Sequence, residues 1–203
     1  MIPVRLRILI VVTTVLLGVG LGYVGHRLLS DPGAGEGRSF GEALVGGPFT
    51  LTDQEGRTRT EADFRGKLML VNFGFTNCPD ICPLGLQLMT DVMEMLGPQA
   101  DEKVQPVFIT VDPARDTPAV MKDYVAHFSD RMVGLTGTKE QIAAAAKAYR
   151  VYYKVHGDPA TNPNYAVDHS GFIYLMGRDG KFLTHFTHDT PPGKMADAIR
   201  NHL

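Results

Sequence analysis

The chain has 203 residues, a hydrophobic fraction of 44%, a formal net charge of −2 and two cysteines. That length fits one domain plus an attachment, and the hydrophobic fraction is ordinary for a globular protein. A near-neutral charge without a basic cluster excludes a nucleic-acid binder, and two cysteines are too few for a disulfide scaffold, so they read as a site.

Residues 8–25 carry no charged side chain over 18 positions. As a helix this run reaches about 27 Å, close to the hydrocarbon thickness of a bilayer. It is longer than the apolar core of a secretory signal, and the nearest small-residue stretch, Gly33-Ala34-Gly35, lies well beyond it, after Asp31-Pro32. An uncleaved anchor over residues 1–29 is therefore expected. Arg5, Arg7 and the α-amino group precede the run and Arg27 follows it, which favours the N-terminus inside and the remainder outside. For a bacterial cell this describes a single-pass inner-membrane protein with its soluble domain in the periplasm, where thiols meet oxidants. Residues 30–47 are rich in glycine and poor in large apolar residues, as in a flexible linker, and the folded domain is expected over residues 48–203.

Residues 49–60 alternate, turn at Asp53-Gln54-Glu55-Gly56 and return, which predicts a hairpin. Residues 67–75 form a near-continuous apolar run, as in a buried central strand. Pro83 suits the first turn of a helix, and Leu84, Leu88, Val92 and Leu96 recur at helical spacing until Gly97-Pro98 stops it. Residues 104–111 read as a second strand. Thr117 and Pro118 read as the N-cap and first residue of a second helix. Residues 132–135 read as a short strand, and Thr138 to Gln141 as a capping box before an alanine-rich helix reaching Tyr149. Residues 170–176 and 181–186 flank Asp179-Gly180 as a hairpin, and residues 195–203 close the chain as a helix. Strands separated by helices imply a parallel βαβ core with an antiparallel edge. This is the element order of an α/β, thioredoxin-like fold with an N-terminal β-hairpin extension and a single N-terminal transmembrane anchor.

The chemistry centres on Phe75-Thr76-Asn77-Cys78-Pro79-Asp80-Ile81-Cys82-Pro83 at a strand-to-helix junction. Thiols four residues apart can close a small disulfide ring or pinch a soft metal as paired thiolates. If the loop rounds into a helix the two point the same way, and helix-start amides favour the thiolate. His169 precedes a strand of the same sheet and, in a thioredoxin-like arrangement, faces the cysteine loop. Its imidazole could supply a third ligand, a set that suits copper, with Asp168 as a partner fixing the ring. The stretch Asp112 to Pro118 falls on the same rim. It reads either as a capping loop with an internal Arg–Asp pair or as a docking surface.

Four motifs in order, Gly74-Phe75-Thr76-x-Cys78-Pro79-Asp80-Ile81-Cys82-Pro83, Val111-Asp112-Pro113-x-Arg115-Asp116-Thr117-Pro118, Ala148-Tyr149-Arg150-Val151-Tyr152-Tyr153 and Val167-Asp168-His169-Ser170, closely resemble the Sco/SenC family. The resemblance implies a membrane-anchored copper protein that assists assembly of the binuclear copper centre of cytochrome c oxidase. It implies Cys78, Cys82 and His169 as the ligands of a copper ion. Asn77 stands where several members have histidine, a position that is not a ligand. The implied partners are the apo copper-binding subunit of the oxidase, an upstream copper donor or thioredoxin-type reductant, and the membrane through the anchor. A thiol–disulfide reductase using Cys78 and Cys82 as a redox dithiol remains an alternative, as does a copper or redox sensor. A peroxiredoxin-like peroxidase is disfavoured, because Phe75 stands where its motif needs threonine. His185 and His188 are expected in solvent at a strand end, and Met89 and Met93 in the core.

Overall fold

The computed structural model describes residues 45–203 and the isolated positions 3, 16, 18 and 20. The expected anchor, apart from those positions, and residues 30–44 of the expected linker lie outside the described residues. Among the described residues no helix is long and apolar enough to cross a membrane. Chain contacts group Ala43–Leu203 into one unit, and the fold below is that unit.

The apolar run after Lys67 becomes β3, Leu68–Gly74, every residue of which is buried. It is an interior strand, between β4 and β8, of a seven-stranded sheet of order β2-β1-β5-β4-β3-β8-β9. The remaining strands of that sheet are β1 (Thr50–Asp53), β2 (Thr58–Thr60), β4 (Val104–Thr110), β5 (Val133–Thr136), β8 (Phe172–Met176) and β9 (Phe182–Thr187). β3, β4 and β5 run parallel, while the β1–β2 and β8–β9 hairpins add antiparallel edges. This is the parallel core with antiparallel borders that the element order predicts.

The α-helices of this unit are α1 (Ile81–Leu96), α2 (Pro98–Asp101), α3 (Pro118–Ala126), α4 (Lys139–Ala148) and α5 (Pro192–Arg200). Because strand side chains alternate in direction, β3 feeds both faces of the sheet. Met69, Val71 and Phe73 pack with Ile142, Ala145 and Tyr149 of the α4 side; Leu68 and Leu70 pack with Leu86, Met89 and Val92 of α1 and with Met195 and Ile199 of α5. The predicted caps form: the Thr117 hydroxyl accepts from the Val120 amide, and Thr138 and Gln141 close a capping box at the start of α4. Met89 is fully buried and Met93 partly so, as expected of core residues.

Three features depart from the sequence reading. The closing helix α5 starts at Pro192, not at residue 195, and ends at Arg200. Gly97, at φ +73°, ends α1, and Pro98 then opens the single turn of α2 instead of a plain break. A separate two-stranded ribbon, β6 (Tyr153–His156) against β7 (Ala166–His169), lies between α4 and β8. Residues 157–165, with two prolines, separate its strands, so no short-turn hairpin signal marks it. His169 is thus the last residue of the ribbon, not merely the residue before a strand of the main sheet.

Candidate metal centre

β3 ends at Gly74 and α1 begins at Ile81, so the cysteine segment rounds the carboxyl rim of the parallel sheet. Cys78 sits in the loop and is half-buried; Cys82 lies in the first turn of α1 and is 1% exposed. Both are free thiols. A glycine at position 74 is demanded by this close approach, since a Cβ there would lie 2.6 Å from Cys82 Sγ and 2.9 Å from the Phe108 ring.

The imidazole of His169 arrives from the ribbon. Its Nε2 lies 3.2 Å from Cys82 Sγ. Its Nδ1 lies 3.0 Å from the Ser170 carbonyl oxygen, which can only accept. Nδ1 therefore carries the proton, and the Nε2 lone pair faces the sulfurs. Phe75 meets the imidazole edge-on, with ring centroids 5.6 Å apart. The donor atoms of Cys78, Cys82 and His169 all lie within 4.8 Å of one another.

The two sulfurs differ electrostatically. A hydrogen bond from Cys82 pulls the Cys78 thiol down to about 4, opposed by burial and helped by the backbone amides of Asp80 and Cys82. Cys82 is pushed up, first because its proton is committed to Cys78 and second by burial. Cys78 is therefore a thiolate at neutral pH beside a protonated Cys82. Amides at the helix start are the donors that a strand-to-helix junction provides.

The loop after β4 shares this rim. Asp116 is fully buried and accepts from the Thr76 amide (3.0 Å), the Thr76 hydroxyl (2.6 Å) and the Thr110 hydroxyl (2.5 Å). Asp112 accepts from Arg115 Nε and from the Tyr165 hydroxyl. The expected Arg–Asp pair and Thr117 cap are thus both present.

The SCO1/SenC family model matches residues 38–203. The chain belongs to the SCO1/SenC family. It is 42% identical to a SCO2-like protein of Rickettsia conorii over 197 residues, 95% of each chain. ScoI of Bradyrhizobium japonicum, solved with copper bound, superposes with a TM-score of 0.72 at 42% identity, covering 78% of this chain and 99% of that one. BsSco, described as having a disulfide switch and as a member of the Sco family of cytochrome c oxidase assembly proteins, superposes with a TM-score of 0.61 at 27% identity, covering 80% and 95%. The thioredoxin-like architecture expected from the motifs is therefore the Sco fold.

In this family member the structure brings together the three residues singled out in the sequence and separates others from them. Asp168, expected to orient His169, does not do so: its carboxylate takes His156 Nε2 at 2.6 Å on the exposed face of the ribbon. Neighbouring strand residues point to opposite faces, which leaves the Ser170 carbonyl to fix the ring. His185 is exposed, as expected, and its ring packs against Phe172 at 5.0 Å. His188 is exposed beside Gly171, outside the three-residue group. Sequence reasoning missed Ser170, Phe75 and the Thr76–Asp116 bonds. Each acts through a backbone atom or a remote contact, for which residue type gives no signal.

Proposed function

We propose that this chain is a copper carrier: it takes one copper ion on Cys78, Cys82 and His169 and passes it to the apo copper-binding subunit of cytochrome c oxidase. The observation that carries this reading is the convergence of two sulfurs and an imidazole nitrogen within 4.8 Å, on the rim of the sheet. The donor set fits the cargo, because soft thiolates with an imidazole select copper over hard cations. Cys78 is already ionised, and the proton on Nδ1 leaves Nε2 free to ligate. Cys78 is also the more exposed sulfur, so an incoming acceptor thiolate meets it first and Cys82 last.

Residues 1–29 supply the anchor in this reading, 30–47 the tether and 48–203 the copper-binding domain on the periplasmic side of a bacterial inner membrane. An upstream copper donor loads the site. Replacing His169 with Ala is expected to weaken copper binding by more than the roughly 10–100-fold that loss of a ligand's own hydrogen-bond partner costs. Both thiols should stay reactive. Competition against a chelator of known affinity measures the first, and thiol labelling the second; unchanged copper affinity would refute the assignment.

A second reading, thiol–disulfide reductase, is favoured by the thiolate–thiol pair itself. Cys78 thiolate attacks one sulfur of a target disulfide and expels the other as thiolate. Cys82 gives up its proton, attacks the Cys78 sulfur of the mixed disulfide and displaces the target sulfur bound to it, leaving a Cys78–Cys82 disulfide and a target reduced by two electrons. A thioredoxin-type partner restores the dithiol. This route does not use His169, so oxidase assembly that survives His169→Ala favours reduction over delivery.

A further inference from the structure

The three donors come from two separate pieces of backbone. Cys78 and Cys82 follow β3 in the main sheet, whereas His169 ends β7 in the ribbon. A divided donor set holds a metal only as well as the distance between its halves is held. One loop, residues 112–116, touches both.

On the cysteine side, Asp116 grips the amide and hydroxyl of Thr76, two residues before Cys78. On the histidine side, Asp112 accepts from the Tyr165 hydroxyl and from Arg115 Nε. The Arg115 guanidinium lies over the Tyr165 ring at 3.8 Å and donates to the Tyr165 carbonyl at 3.1 Å, immediately before β7. It also stands 5.7 Å from the Phe75 ring, the ring that His169 meets edge-on. Thr110 joins the two sides, its hydroxyl donating to Asp116 Oδ2 and accepting from the Asp112 amide at 2.8 Å. None of these bonds is needed to cap α3, which Thr117 does alone. Burying two carboxylates for helix capping would carry a desolvation cost without return.

We propose that residues 112–116 form a positioning clasp that sets the separation between the sulfur pair and the His169 imidazole. Asp116 fixes the cysteine loop, and Asp112 with Arg115 fixes the root of the histidine strand. The inference rests on the copper-carrier reading for its purpose, and its test has an arm that needs no copper.

The experiment compares Arg115→Ala, Arg115→Lys and the milder Tyr165→Phe in the full chain. Without metal, amide hydrogen exchange should quicken in the ribbon, Tyr153–His156 and Ala166–His169, and stay unchanged in β3 and α1. With copper, all three variants should lose affinity about 10–100-fold, the cost typical of removing a ligand's support. They should weaken the imidazole nitrogen coupling in the electron paramagnetic resonance spectrum of the cupric form, with Cys78 alkylation unchanged. Arg115→Lys keeps the charge but not the planar fork, so it should fail like Arg115→Ala. Full rescue by lysine would overturn the clasp, as would unchanged exchange in the ribbon or exchange that rises equally in β3 and α1. A wild-type chain that bound no copper would sink the carrier reading alone, with the metal-free arm still deciding the clasp.

Discussion

The cysteine half and the histidine half of the site rest on opposite kinds of structure. The cysteines prolong β3, all of whose residues are buried, and enter α1, which buries Leu86, Leu88, Met89 and Val92. His169 hangs from a two-stranded ribbon whose first strand alternates between half-buried and exposed residues. A two-stranded ribbon is marginal by itself, so this one depends on Tyr165 and Val167 packing into the core beneath it. The pairing of a rigid half with a peripheral half separates two chemistries. The reactivity of the sulfurs is set by the core, while the reach of the imidazole is set by a few contacts at the edge. In the proposed copper-carrier reading, a substitution can thus loosen the grip on copper without disturbing the dithiol.

The largest effect that breaks this contrast is in the rigid half. Alanine at Gly74 would place a Cβ 2.6 Å from Cys82 Sγ and 2.9 Å from the Phe108 ring, with β3 and β4 unable to part. Overpacking of this kind costs about 1–3 kcal/mol. Each kcal/mol lowers Tm by roughly 2–4 °C in a domain of this size. Thermal unfolding followed by circular dichroism measures it. A Gly74→Ala chain with an unchanged Tm would show that the sulfur sits in yielding surroundings, and the contrast would fail.

The same contrast explains what could be read from the chain. The cysteine half is written locally: the apolar run 67–75, the cysteine spacing, Pro83 in the first turn of α1, the Thr117 cap and the Thr138–Gln141 box all act within a few residues. The ribbon is not local. Tyr153 pairs with His169 across the loop 157–165, and four alternating residues are too few to announce a strand. His169 stood out as a ligand through its family motif, not through its periodicity. Asp168 was a natural orienting partner by adjacency, and the strand's alternation sends it the other way. Asp116, followed by Thr117-Pro118, reads as part of a capping signal. Only Thr76, 40 residues earlier, turns it into an anchor for the cysteine loop.

An intermediate effect sharpens the contrast within the rigid half itself. Cys78 is held down to about 4 by the Cys82 hydrogen bond, whereas Cys82 is raised. A thiol whose folded pKa lies below its unfolded value keeps its stabilising contacts at higher pH and loses them as pH falls through the folded value. For an ordinary thiol the alkylation rate drops about tenfold per pH unit below roughly pH 8.5. In the metal-free chain the Cys78 rate should instead stay flat from about pH 8 to 5 and fall only near 4. Cys82 should remain unlabelled throughout. Mass spectrometry after brief labelling reports both, and a Cys78 rate that declines steadily below pH 8 would remove the distinction between the two sulfurs.

The smallest expected effect tests the peripheral half where it ought to be indifferent. Asp168 lies next to His169 in the chain, yet its carboxylate is 61% exposed and bonds His156, whose side chain is 42% exposed. An exposed pair of this kind contributes about 0.2–1 kcal/mol at most. With the Ser170 carbonyl holding Nδ1, the ring needs nothing from Asp168. Asp168→Ala should therefore leave copper affinity within about twofold of wild type and lower stability by less than about 1 kcal/mol. Chelator competition and urea unfolding check the two numbers. A loss of tenfold or more in affinity would mean that the carboxylate steers the imidazole after all. His169 and Asp168 would then have to share a face of the ribbon, and the alternation on which the edge of the site is built would be wrong.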